Sequence, residues 1–475
     1  MKRSIVNIIL LILLFINTIV FAVQFNNLNF ISKLIPITVD IILLIILSLS
    51  LYFLYRNIIG DLKYKKAIFI ISIILNIILL IFNISTNFFD KIASKITSDE
   101  VIYTSTIIVK SDSHINNIKD LNNVKIGISE NENDYENYKL GYEYLEQNDK
   151  VNNNSFYKYS DYTLALNDLL DGNIDALIIS GDYDSIYSEY FEDLDSKVKE
   201  IIKPLSKSVK KQTKKKTSID VTKPVTVLII GADGAGGDKY NADVQILMTI
   251  NPETKNVVMV DVVRDTYAYN VGNNSMDKIT HAGWYGNENV VATVSNLFDI
   301  NIDYYVKFNF TSVKELVDLV GGLEMDVPYR FRVTTNGSSY YVSPGVKKLN
   351  GIETLALART RQMPGSSLYT RGEMQMNIIE QVTKQVDGRF ILNNFFKFTN
   401  ILESNVKTNM SKQDLYYYIQ KYVSIKDDLT FSHNQLRGIN SHYYHEGMKR
   451  TLFTIKIDQN RLEELKSKLK ENLNN

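Results

Sequence analysis

The sequence contains no cysteine and carries no net charge. The first absence excludes disulfides, thiolate metal sites and cysteine nucleophiles. It suits an exported protein stabilised without covalent staples, without requiring export. The balance of 53 basic against 53 acidic residues leaves no bulk positive field, which argues against a nucleic-acid partner. Arginine is scarce beside lysine. Heavy use of Ile, Asn, Lys and Tyr fits an AT-rich coding bias, so an arginine here carries more information than a lysine. A nucleotide loop is also missing. Gly231-Ala-Asp-Gly-Ala-Gly-Gly-Asp-Lys follows an apolar run but has neither the Gly-Lys-Ser/Thr ending nor the Gly-x-Gly-x-x-Gly order.

What is present begins with three apolar stretches, at residues 5–23, 34–54 and 67–84. Each is close to the ~20 residues that cross a bilayer as a helix. Lys2 and Arg3 precede the first, and Arg56, Lys63, Lys65 and Lys66 fill the second link. By the positive-inside rule the amino terminus and second link are cytoplasmic, and everything after about Ser85 lies outside the cell membrane. A cleavable signal peptide ending at Phe21-Ala-Val is the competing reading of the first stretch, and two spans would still anchor the chain. Asp40, near the outer end of its span, reads as a helix-packing or snorkelling residue, with a proton relay as the alternative.

The expected organisation is three transmembrane helices (1–90), a small accessory α/β domain (100–205), a Lys-rich linker (206–223), a principal α/β domain (224–390) and a mostly helical C-terminal extension (391–475). In the accessory domain, strands at 106–110 and 125–129, a short helix at 116–121, and a helix, Gly turn and strand across 164–179 resemble one lobe of a periplasmic solute-binding protein. Residues 203–223 read as a solvated tether, with attraction to an anionic wall polymer as the alternative.

The principal domain is organised around Val225-Thr-Val-Leu-Ile-Ile-Gly-Ala-Asp233, Asp243 with Gln245-Ile-Leu-Met-Thr-Ile, and Met259-Val-Asp-Val-Val-Arg264-Asp265. Three β-branched runs closed by charged residues describe adjacent buried strands whose polar ends share one rim of an open sheet. Asp233 and Asp243 at such a rim can share one hard divalent cation, Mg²⁺ or Mn²⁺, completed by phosphate and water. Downstream, Arg359, Arg361 and Arg371 are followed by Gln375. Arginine binds phosphate through its planar fork and keeps its charge near a metal, so the pattern points to phosphate chemistry.

Helices are expected at 289–298 and 311–319, the second opening on a Thr or Ser cap and stopped by Gly321-Gly322, with a strand at 302–310 between them. Val290, Val291, Val294, Tyr304, Val306 and Phe308 read as core. His442 and His445 fall on one face if that stretch is helical. The spacing is not that of a zinc protease, and both are read as surface residues. His281 reads as a hydrogen-bonded structural histidine.

Several of these segments, in order, resemble the LytR-CpsA-Psr (LCP) family. They are Val227-Leu-Ile-Ile-Gly-Ala-Asp, Val262-Val-Arg-Asp-Thr, Lys278-Ile-Thr-His-Ala-Gly-Trp-Tyr-Gly, Ile302-Asp-Tyr-Tyr-Val, Val317-Asp-Leu-Val-Gly-Gly, Leu349-Asn-Gly-Ile-Glu-Thr-Leu-Ala-Leu-Ala-Arg-Thr-Arg, and Arg371 with Gln375. The three-span anchor and accessory domain are similar to its CpsA-like members. The resemblance implies an LCP-type sheet flanked by helices, holding a polyprenyl pyrophosphate in an apolar groove. It implies Mg²⁺-dependent transfer of a lipid-linked glycopolymer, such as capsule or teichoic acid, onto peptidoglycan as a phosphodiester. By motif, Asp233 and Asp243 match the metal carboxylates. Arg264, Arg359, Arg361 and Arg371 match the pyrophosphate arginines, with Gln375 nearby. Asp243, Arg264 and Arg371 are the expected catalytic residues. Asp265 is either a base toward the acceptor hydroxyl or a structural carboxylate.

The pattern departs at Asn241, Val263, Leu368 and Met374, where Asn241 and Met374 replace two arginines. Two other readings therefore stand beside the transferase: a non-catalytic protein that binds lipid-linked wall precursors, and a polyprenyl pyrophosphatase using water as acceptor.

Overall fold

The structure, a computed structural model, describes residues 2–27, 34–59, 65–97, 100–147, 154–210, 220, 222–232, 238–335, 337–360, 364 and 367–474. Two compact units emerge: residues 1–97, 218–221 and 410–426 form one, and the remainder forms the other.

The first unit holds α1 (Lys2–Asn26), α2 (Leu34–Ile59) and α3 (Lys65–Ile96). Each contains a segment long and apolar enough to cross a membrane: Ile8–Asn26, Pro36–Phe53 and Phe69–Ile96. Their Ile and Leu side chains stand about half exposed, the faces that acyl chains would cover. Polar side chains pair with one another instead. Asn17 donates to Asn76 at 3.2 Å and Asn26 donates to Asp40 at 3.1 Å, so Asp40 is a helix-packing residue. The helix Lys412–Ile425 belongs to the same unit. There Lys412 and the Tyr416 hydroxyl both meet Asp90 at 2.9 Å, and the Tyr416 ring stacks on Phe89.

In the second unit, residues 100–210 build a six-stranded sheet from β1 (Glu100–Lys110), β2 (Lys125–Ser129), β3 (Ser155–Tyr159), β4 (Ala176–Ser180), β5 (Val198–Glu200) and β6 (Leu205–Lys210). The order is β3-β2-β4-β1-β5, with β6 also on β1. Helix Tyr162–Asp171 is capped by Asp161 and ends at Gly172, whose φ of +79° is the left-handed conformation that glycine adopts without strain. The first part of the expected linker is therefore β6, paired along the edge of β1. Residues 211–219 lie outside the described residues.

The principal sheet contains β7 (Val225–Ala232), β8 (Ala242–Asn251), β9 (Asn256–Asp261), β10 (Tyr304–Asn309), β11 (Val406–Thr408) and β12 (Thr430–Gln435), in the order β11-β10-β7-β8-β9-β12. Pairing of β7 with β8 and of β8 with β9 is antiparallel. The end of β7, the start of β8 and the end of β9 therefore meet at one rim, as the charged endings of the three runs suggested. Both edge strands come from beyond residue 390. The expected C-terminal extension is thus part of the principal sheet, and it adds the hairpin of β13 (Gly438–His445) and β14 (Arg450–Ile457). Of these strands β11 is three residues long and the other three mix polar with apolar residues, so no long apolar run advertises them.

Alternation along the strands separates two faces. Leu228, Ile230, Leu247, Val258 and Val260 pack against α4 (Asn287–Phe298) through Val290, Val294 and Phe298. The terminal helix Gln459–Asn474 adds Leu462, Leu465 and Leu469 to the same core. Val227, Ile229, Met248, Met259 and Asp261 take the alternate positions. In register with β7 are Tyr304, Val306 and Phe308 of β10. Helix α5 (Phe310–Leu319) follows, capped by Asn309 rather than by the expected Thr or Ser, because Asn309 accepts from the Ser312 amide. Then come α6 (Gly351–Arg359) and α7 (Leu368–Gln385), which pack with Leu323, Phe331 and Leu349 around Leu357, Met374 and Ile378.

A candidate diphosphate site at the sheet rim

The rim is shaped by a bulge. Gly231 pairs with Val244 and Ala232 with Ala242, so Asp243 is the extra residue of β8. A bulge re-aims the side chain it carries, and here it turns Asp243 out of the ladder. The NH1 of Arg264, in the turn after β9, donates to Asp243 Oδ1. Arg264 is buried, with 2% of its side chain exposed. Its NH2 lies 2.6 Å from Glu189 Oε2, and its Nε 3.9 Å from Asp265 Oδ1.

Asp265 is clasped more closely by Lys278, whose Nζ is 2.5 Å away. Burial pushes the Asp265 carboxyl up, but Lys278, Arg264 and Arg371 together outweigh it and hold the group below its ordinary range. A carboxylate so fixed is a poor proton acceptor and a good anchor for cations. The geometry thus favours the structural reading of Asp265 over the base. Lys278 is a site cation that sequence reasoning missed, although it stands in a quoted motif.

Arg371 is buried in the second turn of α7, a helix begun by a capping box between Ser367 and Thr370. Its charge acts on both Asp265 and Asp261. Gln375, one turn on, donates from Nε2 to the Ala358 carbonyl at 3.0 Å. That bond ties α7 to the end of α6 just before Arg359, whose guanidinium lies 4.9 Å from the Phe310 ring centre. Gln375 thus positions an arginine-bearing helix end. Arg264 stands beside Asp265, Arg371 acts on the same carboxylate through its charge, and Arg359 follows the Ala358 carbonyl that Gln375 holds. Asp233 and Arg361 lie outside the described residues.

Asp277, His281 and His445 bring ligand atoms within 4.8 Å of one another. Both His281 nitrogens are engaged, however. Nδ1 meets Asp277 and Nε2 meets the Tyr190 hydroxyl, each at 2.8 Å, and the Tyr443 hydroxyl also bonds Asp277. Burial outweighs the pull of Asp277 and lowers the His281 pKa, favouring the neutral ring. With Nδ1 donating to the carboxylate, Nε2 accepts from Tyr190. His281 is the structural histidine expected. His442 and His445 lie on a strand, not a helix, so three residues apart puts them on opposite faces: His442 exposed, His445 half-buried beside Asp277.

The LytR_cpsA_psr family's sequence profile matches residues 190–471. The chain belongs to the LytR-CpsA-Psr family. This LCP chain is 33% identical over 261 residues to the polyisoprenyl-teichoic acid–peptidoglycan teichoic acid transferase TagU of Bacillus licheniformis, covering 54% of itself and 80% of that protein. To TagU of Bacillus subtilis it is 31% identical over 261 residues, with the same coverage. The solved structure of B. subtilis TagU overlaps 53% of this chain and 97% of its own at 28% identity, with a TM-score of 0.40.

Both residues that stand where the motif has arginines are engaged elsewhere in this LCP chain. Asn241 accepts from Trp284 Nε1 at 2.8 Å and donates to the Ile186 carbonyl at 3.0 Å, so its amide joins the two α/β parts. Met374 packs in the α6–α7 core and does not serve as a head-group residue.

Proposed function

We propose that this protein transfers a polyprenyl-diphosphate-linked glycopolymer onto peptidoglycan through a phosphodiester, outside the cell membrane that its three apolar helices cross. The observation that carries the reading is the rim itself: Asp243 aimed by the bulge and paired with Arg264, and Asp265 held between Arg264 and Lys278. Family membership and the printed activity of the TagU relatives support it.

The acceptor sugar hydroxyl attacks the glycan-side phosphorus, the bond to the lipid phosphate breaks, and polyprenyl monophosphate leaves, its phosphate taking up the hydroxyl's proton. Such a transfer needs little covalent help from protein. Positioning and neutralisation of phosphoryl charge do most of the work. Arg264 and Arg371 orient the two phosphoryl groups, with Arg359 beside them. The all-oxygen donor chemistry of Asp243 and Asp233 fits Mg²⁺ or Mn²⁺, which when bound would neutralise charge on the departing phosphate. The lipid chain belongs on the sheet face of Val227, Ile229, Met248 and Phe308, opposite the core formed with α4. Asp261 and α7 lie on that same face.

Turnover of a lipid-linked oligosaccharide with Mg²⁺ is expected to fall by about a hundredfold or more in Asp243→Ala and in Arg371→Ala, the scale for a lost charge-stabilising group. Full turnover in either variant would remove the site assignment. The replacement of two motif arginines by Asn241 and Met374 favours, as a second reading, a protein that binds the precursor without turning it over. Tight donor binding by a protein without turnover would support that reading.

A further inference from the structure

Residues 185–190 of the accessory part lie against the rim beside Arg264. Asn241 Nδ2 donates to the carbonyls of Ile186 at 3.0 Å and Ser185 at 3.3 Å. Arg450 NH1 donates to the Tyr190 carbonyl at 2.9 Å, and the Tyr190 hydroxyl meets His281. Between these fixed points Glu189 sends its carboxylate to Arg264 NH2 at 2.6 Å, while Asp243 takes NH1. Both terminal nitrogens of the guanidinium are therefore engaged by carboxylates. A phosphoryl oxygen that uses Arg264 has to displace one of them. Glu189, 41% exposed at its side chain against 14% for Asp243, is the one with solvent to move into.

We propose that Glu189 is a positioning residue for the transfer reaction: its carboxylate holds Arg264 before the donor binds and yields it to the diphosphate of the donor. The proposal rests on the reading of Arg264 as a diphosphate contact. A buried arginine without an anion would carry an uncompensated charge. Asp243 compensates one side of Arg264 throughout; Glu189 compensates the other until the ligand does, and retakes its place as the lipid monophosphate leaves. Competition from a carboxylate held by the fold weakens donor binding and speeds release.

The test is calorimetric titration of the full chain in detergent with farnesyl diphosphate and Mg²⁺. Glu189→Gln is expected to bind the probe about tenfold more tightly, the order for one charge-assisted bond that no longer has to be broken. Glu189→Ala should move in the same direction, and Glu189→Asp should stay near wild type. In turnover, KM falls in Glu189→Gln while kcat does not rise, a split that loss of a mere docking contact would not produce. Unchanged or weaker probe binding in both Glu189→Gln and Glu189→Ala overturns the proposal. Arg264→Ala separates the two levels. If it loses the probe while the Glu189 variants match wild type, only the role of Glu189 fails. If it binds like wild type, the diphosphate reading fails with it.

Discussion

Asp261 sits at the end of β9 on the face shared with α7, 3% exposed, with Oδ2 lacking a hydrogen-bond partner among the described residues. Burial pushes its carboxyl up, Arg371 draws it part of the way back, and Glu373 adds to the rise, leaving it at about 7. The unfolded chain releases this proton near pH ~4. Between about pH 4 and 7 the folded state therefore binds more protons than the unfolded one, and this group's contribution to stability falls as pH rises, levelling off above 7. Asp261→Asn removes that slope. The urea midpoint of the variant should gain on wild type as pH goes from 4 to 7, and a constant difference would show that Asp261 is not the titrating group. At this scale the sequence was informative where a charged residue closed an apolar run, as at Asp243 and Arg264. Lys278 was hidden among many lysines, and Glu189 comes from a part of the chain with no motif in common with the rim.

At the scale of elements, the three central strands, α4 and the Gly321-Gly322 stop were legible because β-branched runs, helical spacing and left-handed glycines each have a local physical cause. Gly321 and Gly322 take φ of +83° and +96°. The bulge at Asp243 and the edge strands β11 and β12 were not legible, since they depend on pairing between distant segments. Close approach of α7 to β9 belongs to the same class. A Cβ on Gly372 would stand 1.9 Å from Asp261 Oδ2, so only glycine lets the helix lie there. Gly372→Ala should therefore lift α7 and displace Arg371. A loss of about 1–3 kcal/mol in a denaturation series is expected from such overpacking, together with weakened turnover. Wild-type stability in that variant would mean that the helix has room to spare.

For the whole molecule, the absence of cysteine becomes an experimental asset. A single cysteine at Lys199 should react with a membrane-impermeant maleimide on intact cells, whereas one at Tyr55, beside Arg56, should react only after the membrane is opened. The reverse pattern would place the catalytic sheet in the cytoplasm and remove its access to peptidoglycan. The most direct test of the central claim is mass-spectrometric identification of the product formed from polyprenyl-diphosphate-linked oligosaccharide, Mg²⁺ and peptidoglycan. The account predicts glycan joined to peptidoglycan through a phosphodiester, with one polyprenyl monophosphate released per bond. Free phosphorylated oligosaccharide with unmodified peptidoglycan would contradict it.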